Sequence, residues 1–220
     1  MSKKIGVILS GCGVYDGAEI HESVITLLAI DRLGAEAVIC APDRPQLHVV
    51  NHLTGEVEEG AERNVLVESA RIARGTIRDV AEVTADELDA LILPGGFGAA
   101  KNLCDFAVKG ADCDVDPGVA ALVRAVHEQG KPVAAVCIAP ALIAKVLGGE
   151  GPELTIGNDA DTAGALESMG AAHIECPVRE FVIDRERKLI SSPAYMLAGS
   201  ISEAAEGIER TVEALLEMTS

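Results

Sequence analysis

The chain has 220 residues, of which 49% are hydrophobic and 24% charged, a globular composition long enough for one large domain. Lys and Arg total 18 against 35 Asp and Glu, a net charge of −17, and only 2% of residues are aromatic. Such a surface repels phosphate backbones and anionic lipid and lacks stacking platforms, which excludes nucleic-acid and membrane-surface partners.

No apolar run approaches the roughly 18 residues a membrane span needs. Six cysteines (Cys12, Cys40, Cys104, Cys113, Cys137, Cys176) fall at irregular spacings without a Cys-x-x-Cys pair. That argues against zinc knuckles and disulfide scaffolds and fits a reducing cytoplasm.

In chain order, residues 5–9 are a buried strand ended by Gly11-Cys12-Gly13. Residues 18–33 follow as a helix, with Ile20, Val24, Leu27, Leu28 and Leu33 at helical spacing and Gly34 as its stop. A strand over 37–41 precedes a hairpin over 47–57 around Thr54-Gly55 and a helix over 65–73. The next strand, 90–93, runs into Pro94-Gly95-Gly96. A helix over 117–129, a strand over 132–136 and a helix over 140–147 come next. A short strand at 154–156 and a helix over 159–169 follow. Residues 181–183 and 189–191 pair as an antiparallel excursion. Ser200-x-x-Glu203 caps a closing helix that buries Ile208, Val212, Leu215 and Leu216.

This alternation predicts a single α/β domain over 1–220, with one doubly wound, mostly parallel sheet flanked by helices on both faces. In such folds chemistry sits beyond the carboxyl ends of the central strands. Three turns therefore matter. After Val136, Cys137 stands between small residues (Ala135, Ala139) and is followed by Pro140 and a helix, the pattern of a nucleophile elbow. The helix dipole is expected to lower the Cys137 pKa, although strand-end cysteines also serve as plain packing. After Leu93, the glycines free backbone N–H groups, and those of Gly96 and Ile138 suit an oxyanion hole, with Gly95 alongside as substrate-binding backbone. This loop lacks the third glycine of a dinucleotide fingerprint. After Leu9, the glycine turn leads into a helix carrying Glu19, His21 and Glu22. Glu19 reads as a helix-dipole partner. Glu22, a turn deeper among apolar residues, is expected to carry a raised pKa and to shuttle a proton beside Cys137. His21 points to another face.

Ile5-Gly6-Val7-Ile8-Leu9-Ser10-Gly11-Cys12-Gly13, the Glu22 helix, Leu93-Pro94-Gly95-Gly96 and the Cys137 elbow come in the order of the PfpI/parkinsonism-protein superfamily, which has the class I glutamine amidotransferase-like (flavodoxin-like) fold. Gly11 to Gly17, Asn51-His52-Leu53-Thr54-Gly55, Gly98 to Leu103 and Pro193-Ala194-Tyr195-Met196 closely resemble its ElbB-type branch, along essentially the whole chain. The resemblance implies a cofactor-free, glyoxalase-like or deglycase-like homodimer. It implies Cys137 as nucleophile, Glu22 as its acidic partner, and Gly96 and Ile138 as oxyanion donors. The expected substrate is a small α-oxoaldehyde, glyoxal above all, converted slowly to a 2-hydroxy acid without metal or cofactor. One departure stands out. The superfamily histidine after the strand that follows the elbow helix is absent from residues 154–159.

Other residues carry weaker signals. His173-Ile174-Glu175 offers either a glutaminase-type triad or a structural strand histidine. His48 and His52 share a hairpin face without a third metal ligand. Asn51 to Thr54 shapes a loop near the pocket or the dimer contact. Cys12 is a second thiol near Cys137, in a resolving or a packing role. Tyr195, after a late strand, either bonds substrate or is structural. A redox sensor using Cys137 and an amidase or glutaminase are the alternative functions.

Overall fold

The computed structural model describes residues 2–219. Strand β1 (Lys4–Ile8) is an interior strand, third from one edge of a seven-stranded sheet, with the chain continuing through glycine turns into helix α1 (Ile20–Arg32). β2 (Glu36–Ala41) pairs parallel with β1 in the register Ile5–Ala37 and Val7–Ile39. α2 (Val65–Ile72) leads to the two-residue β3 (Arg78–Asp79) at one sheet edge.

On the other side of β1 lie β4 (Ala90–Leu93), then β5 (Val133–Val136), both parallel. Between them run two short helices, α3 (Phe97–Lys101) and α4 (Phe106–Lys109), and the longer α5 (Pro117–Glu128), whose N-cap Asp116 accepts the Gly118 and Val119 N–H groups. After β5 come α6 (Pro140–Leu147), β6 (Glu153–Leu154), α7 (Ala160–Ser168) and β7 (Ala172–His173). β6 and β7 form a separate parallel pair. β8 (Val182–Asp184) and β9 (Leu189–Ser192) close the main sheet, β9 parallel to β5 and β8 antiparallel at the edge. The order is β3-β2-β1-β4-β5-β9-β8, and α8 (Ile201–Glu217) ends the chain. The expected doubly wound sheet and its antiparallel excursion are present.

Alternating strand residues feed two cores. Ile5, Val7, Ile92, Ala134 and Val136 pack under α1, α2 and α8, with Ile25, Ile30, Ile208 and Val212. Ile8, Leu91, Leu93, Val133 and Ala135 pack under α3, α5, α6 and α7, with Val123, Leu142 and Leu166. The chain leaves β1 in opposite directions toward β2 and β4, so the crevice between their carboxyl ends is the topological switch point.

Three expectations need correction. In α1 the helical-spaced apolar residues face outward: Ile20 is 42% exposed, Val24 48% and Leu28 39%. The buried face is Glu22, Ser23, Ile25, Thr26, Ala29 and Ile30, because the crowded space between the sheet and α8 takes small residues and one carboxyl. The hairpin over 47–57 is present but shorter than expected: one bridge, Val50–Val57, flanked by the Asn51 N–H on Glu56 O and the Glu58 N–H on Val49 O, while Asp16 Oδ2 takes the Val50 N–H at 2.7 Å. At α8, Ser200 accepts the Glu203 N–H, but the Glu203 carboxylate reaches back to the Gly199 N–H, one residue before the cap. Leu216 is half-buried there. Among the described residues no helix is long and apolar enough to cross a membrane.

Candidate active site

Three strand ends converge on one sulfur. Cys137, at the tip of β5, has φ 60°, a left-handed backbone that a side-chain-bearing residue holds only under constraint. The constraint is visible: its N–H donates to Ser192 O at 3.0 Å, and Pro140 starts α6 immediately afterwards. The side chain is turned off the strand toward the crevice, as a nucleophile elbow requires.

The loop after β4 supplies the opposite wall. Gly96 has φ +92°, and a Cβ there would run into Glu19 N and Gly17 O, so only glycine lets the two loops touch. Gly98 N–H donates to Gly17 O at 2.8 Å and Phe97 N–H to Val14 O at 2.8 Å, which knits this loop to the one after β1. The backbone N–H groups of Gly96 and Ile138 both point at the Cys137 sulfur. These are the two amides the sequence singles out, both beside the sulfur.

Gly95 has a different duty from the one expected. Its N–H donates to Glu22 Oε2 at 2.9 Å and its carbonyl accepts the Glu19 N–H at 3.0 Å. Its amide is thereby committed to holding the carboxyl and is unavailable to substrate. A Cβ on Gly95 would press on the Cys137 side chain and lie 2.8 Å from Glu22 Oε2, so glycine is what lets carboxyl and thiol meet.

Glu22 is completely buried and hydrogen-bonds the Cys137 thiol. Its other oxygen, Oε1, accepts the Tyr195 backbone N–H at 3.1 Å. That amide is aimed by the turn after β9, where Ala194 carries φ 43°. Burial lifts the Glu22 pKa to about 7, against the pull of the Tyr195 and Gly95 amides, and the nearby Glu19 carboxylate adds to the rise. Glu19 itself is the N-cap of α1, accepting the Glu22 N–H at 2.7 Å.

For Cys137 the expected pKa depression is overturned. The residue is 7% exposed; burial, followed by the Glu22 carboxylate, pushes its pKa well above the usual cysteine range, against the Gly96 and Ile138 amides. A helix dipole at the surface favours thiolate, whereas burial and a neighbouring carboxylate both disfavour it. Thiol and carboxyl therefore form a buried, mutually perturbed pair.

Tyr195 meets α1 twice, through its amide on Glu22 and through its hydroxyl, which hydrogen-bonds His21 Nδ1 at 2.8 Å. His21 is half-exposed, 4.0 Å from Glu19 Oε1. Cys12 lies in another neighbourhood: its pKa is raised by burial and by Glu68, with Arg71, Asp16 and Arg63 also close. It is a half-buried thiol beside α2, not a partner in the Cys137 cluster. His173 Nε2 accepts the Ile156 N–H at 3.3 Å within the β6–β7 pair, a structural strand histidine. His52 accepts the Tyr15 N–H at 3.2 Å, and its ring stacks on Tyr15. Among the described residues no group of three His, Cys, Asp or Glu side chains is arranged to hold a metal ion.

Two residues that organise the site had no assigned role. Asn102 Nδ2 donates to Ser10 O and Asp16 O, both at 2.9 Å, and its Oδ1 accepts the Leu47 N–H. Asp16, buried between glycines, ties the first turn to residue 50. A carboxylate inside a glycine turn is the signal that could have found it.

Comparison with known proteins agrees with this geometry. The model of the DJ-1/PfpI family matches residues 12–194. The human glutamine amidotransferase-like class 1 domain-containing protein 3, named as mitochondrial, is 46% identical over 98% of this chain and 83% of its own length. The crystal structure of an isoprenoid biosynthesis protein with an amidotransferase-like domain from Ehrlichia chaffeensis superposes with a TM-score of 0.90 at 35% identity, covering 97% of this chain and 99% of that one. Glyoxalase III from Candida albicans shares the fold alone, with a TM-score of 0.62 at 13% identity over 99% and 98% of the two chains. With a nucleophile elbow, its buried carboxyl and the family match spanning most of the sequence, the chain belongs to the DJ-1/PfpI family.

Proposed function

We propose that the chain is a cofactor-independent, ElbB-type glyoxalase-like enzyme that converts glyoxal and related α-oxoaldehydes to 2-hydroxy acids. The observation that carries this reading is the set of groups around one atom: Cys137 Sγ meets the Glu22 carboxyl and the Gly96 and Ile138 amides.

Glu22 takes the thiol proton as sulfur bonds to the aldehyde carbon, and the new oxyanion rests on the two amides. The carbon bonded to sulfur then gives up its hydrogen as a proton. The electron pair becomes the double bond of an enediol while the neighbouring carbonyl oxygen takes the proton held by Glu22. Return of a proton to that neighbouring carbon leaves a thioester. Water splits it, releasing glycolate from glyoxal and restoring the thiol. Atoms and electrons balance without an external oxidant or reductant.

A glutaminase would need His173 beside Cys137, and that ring is engaged on the Ile156 N–H. We also propose a homodimer in contact through the outward face of α1, where Ile20, Val24 and Leu28 line up.

The test is proton NMR of glyoxal incubated with the wild type and with Cys137→Ser. Glycolate accumulates with the wild type and stays at background with the variant; equal rates would exclude the cysteine mechanism.

A further inference from the structure

The site as described lacks a group for the carbon-bound proton. Glu22 is occupied with the sulfur and the substrate oxygen, and both its oxygens already accept backbone N–H bonds, from Gly95 and Tyr195. We propose that Tyr195 and His21 carry that proton, Tyr195 Oη touching the substrate and His21 taking the charge behind it. This inference rests on the glyoxalase-like reading and deepens it.

The placement follows from the backbone. His21 and Glu22 are consecutive in α1 and so project in directions about 100° apart. Glu22 points inward to Cys137, and His21 points along the rim. The turn after β9 clamps both: Tyr195 N–H holds Glu22 Oε1 at 3.1 Å, and Tyr195 Oη meets His21 Nδ1 at 2.8 Å. The Tyr195 ring packs on the cluster that contains Cys137, and its hydroxyl feels both Glu19 and Glu22. Tyr195 thus holds Glu22 by its backbone and His21 by its hydroxyl, placing the phenol between the buried carboxyl and the solvent edge.

The step balances within this pair. The phenol oxygen accepts the proton leaving the sulfur-bearing carbon as its own proton passes to His21 Nδ1, giving an imidazolium. Glu19 Oε1, 4.0 Å from that nitrogen, favours the positive charge. The reverse transfer delivers the proton to the adjacent carbon, and tyrosine and histidine return to their starting forms. Neither residue bonds to the sulfur, so both act on the proton transfer and not on thiol addition.

Glyoxal turnover of wild type, Tyr195→Phe and His21→Ala is measured with and without added imidazole, alongside the rate of Cys137 alkylation by iodoacetamide. His21 is half-exposed, so imidazole can enter the space it leaves. A kcat about 100-fold lower in both variants is expected, the ordinary size of a general acid–base contribution. KM and alkylation rate stay within a factor of about two (barely resolved beside that loss). Imidazole restores His21→Ala and not Tyr195→Phe. Wild-type kcat in either variant, a parallel fall in alkylation, or a His21→Ala loss that imidazole leaves unchanged overturns the proton role. Absence of turnover in the wild type itself removes the glyoxalase reading together with this inference.

Discussion

Glu22 joins two properties that ordinarily oppose one another. Its carboxyl is fully buried, which raises its pKa from 4.5 to about 7, yet it must ionise to take the Cys137 proton. The same ionisation therefore drives activity and costs stability. The sign is fixed by linkage: the folded chain holds the extra proton between pH 4.5, where the unfolded carboxyl titrates, and about pH 7. Stability falls as pH rises across that window, by roughly 3 kcal/mol for a shift of this size. Denaturant titrations should show that slope in the wild type and its loss in Glu22→Gln, whatever the absolute stability of the variant. Over the same range kcat/KM for glyoxal should rise in the wild type as the base forms, with no such rise in Glu22→Gln. A falling wild-type profile would assign Glu22 another role.

Helix α1 shows how an element can be legible in position and misread in orientation. Its bounds and Gly34 stop follow from the sequence, and so do the strand ends that carry Cys137 and Gly96. The burial of its face does not, because Ile20, Val24 and Leu28 make the more hydrophobic stripe while Glu22, Ser23 and Thr26 make the buried one. Amphipathic reading assumes that the core takes the greasiest face; here the sheet end needs a carboxyl and the rest of the interface needs small side chains. The duty of Gly95 was hidden for a related reason. A backbone N–H can serve an oxyanion or a carboxylate, and only the three-dimensional approach of Glu22 decides which. The cap of α1 is testable at this scale. Glu19→Ala removes the acceptor of the Glu22 N–H and should cost about 1 kcal/mol, a fall of about 2–4 °C in Tm for a chain of this size. Differential scanning calorimetry should find Glu19→Asn nearer the wild type than Glu19→Ala; equal losses would deny the cap.

At the scale of the whole molecule, the sheet order places the crevice between β1 and β4, and the three glycine-bearing or elbow turns meet at its edge. The acidic balance of −17 works against association with polyanions. The outward apolar stripe of α1 lies on the helix that carries Glu22, so a dimer contact there would brace the catalytic carboxyl from outside. Sedimentation velocity should give a dimer for the wild type and a monomer for Val24→Asp. A monomeric wild type, or a dimer that Val24→Asp leaves intact, would place the contact elsewhere or remove it. The chemistry at the centre is reached most directly by mass spectrometry of protein quenched in acid during reaction with glyoxal. The account predicts an adduct of one glyoxal mass on the peptide containing Cys137, transient in the wild type, formed far more slowly in Glu22→Gln and absent in Cys137→Ala. Glyoxal adducts confined to lysine and arginine peptides, with Cys137 unmodified throughout turnover, would contradict it.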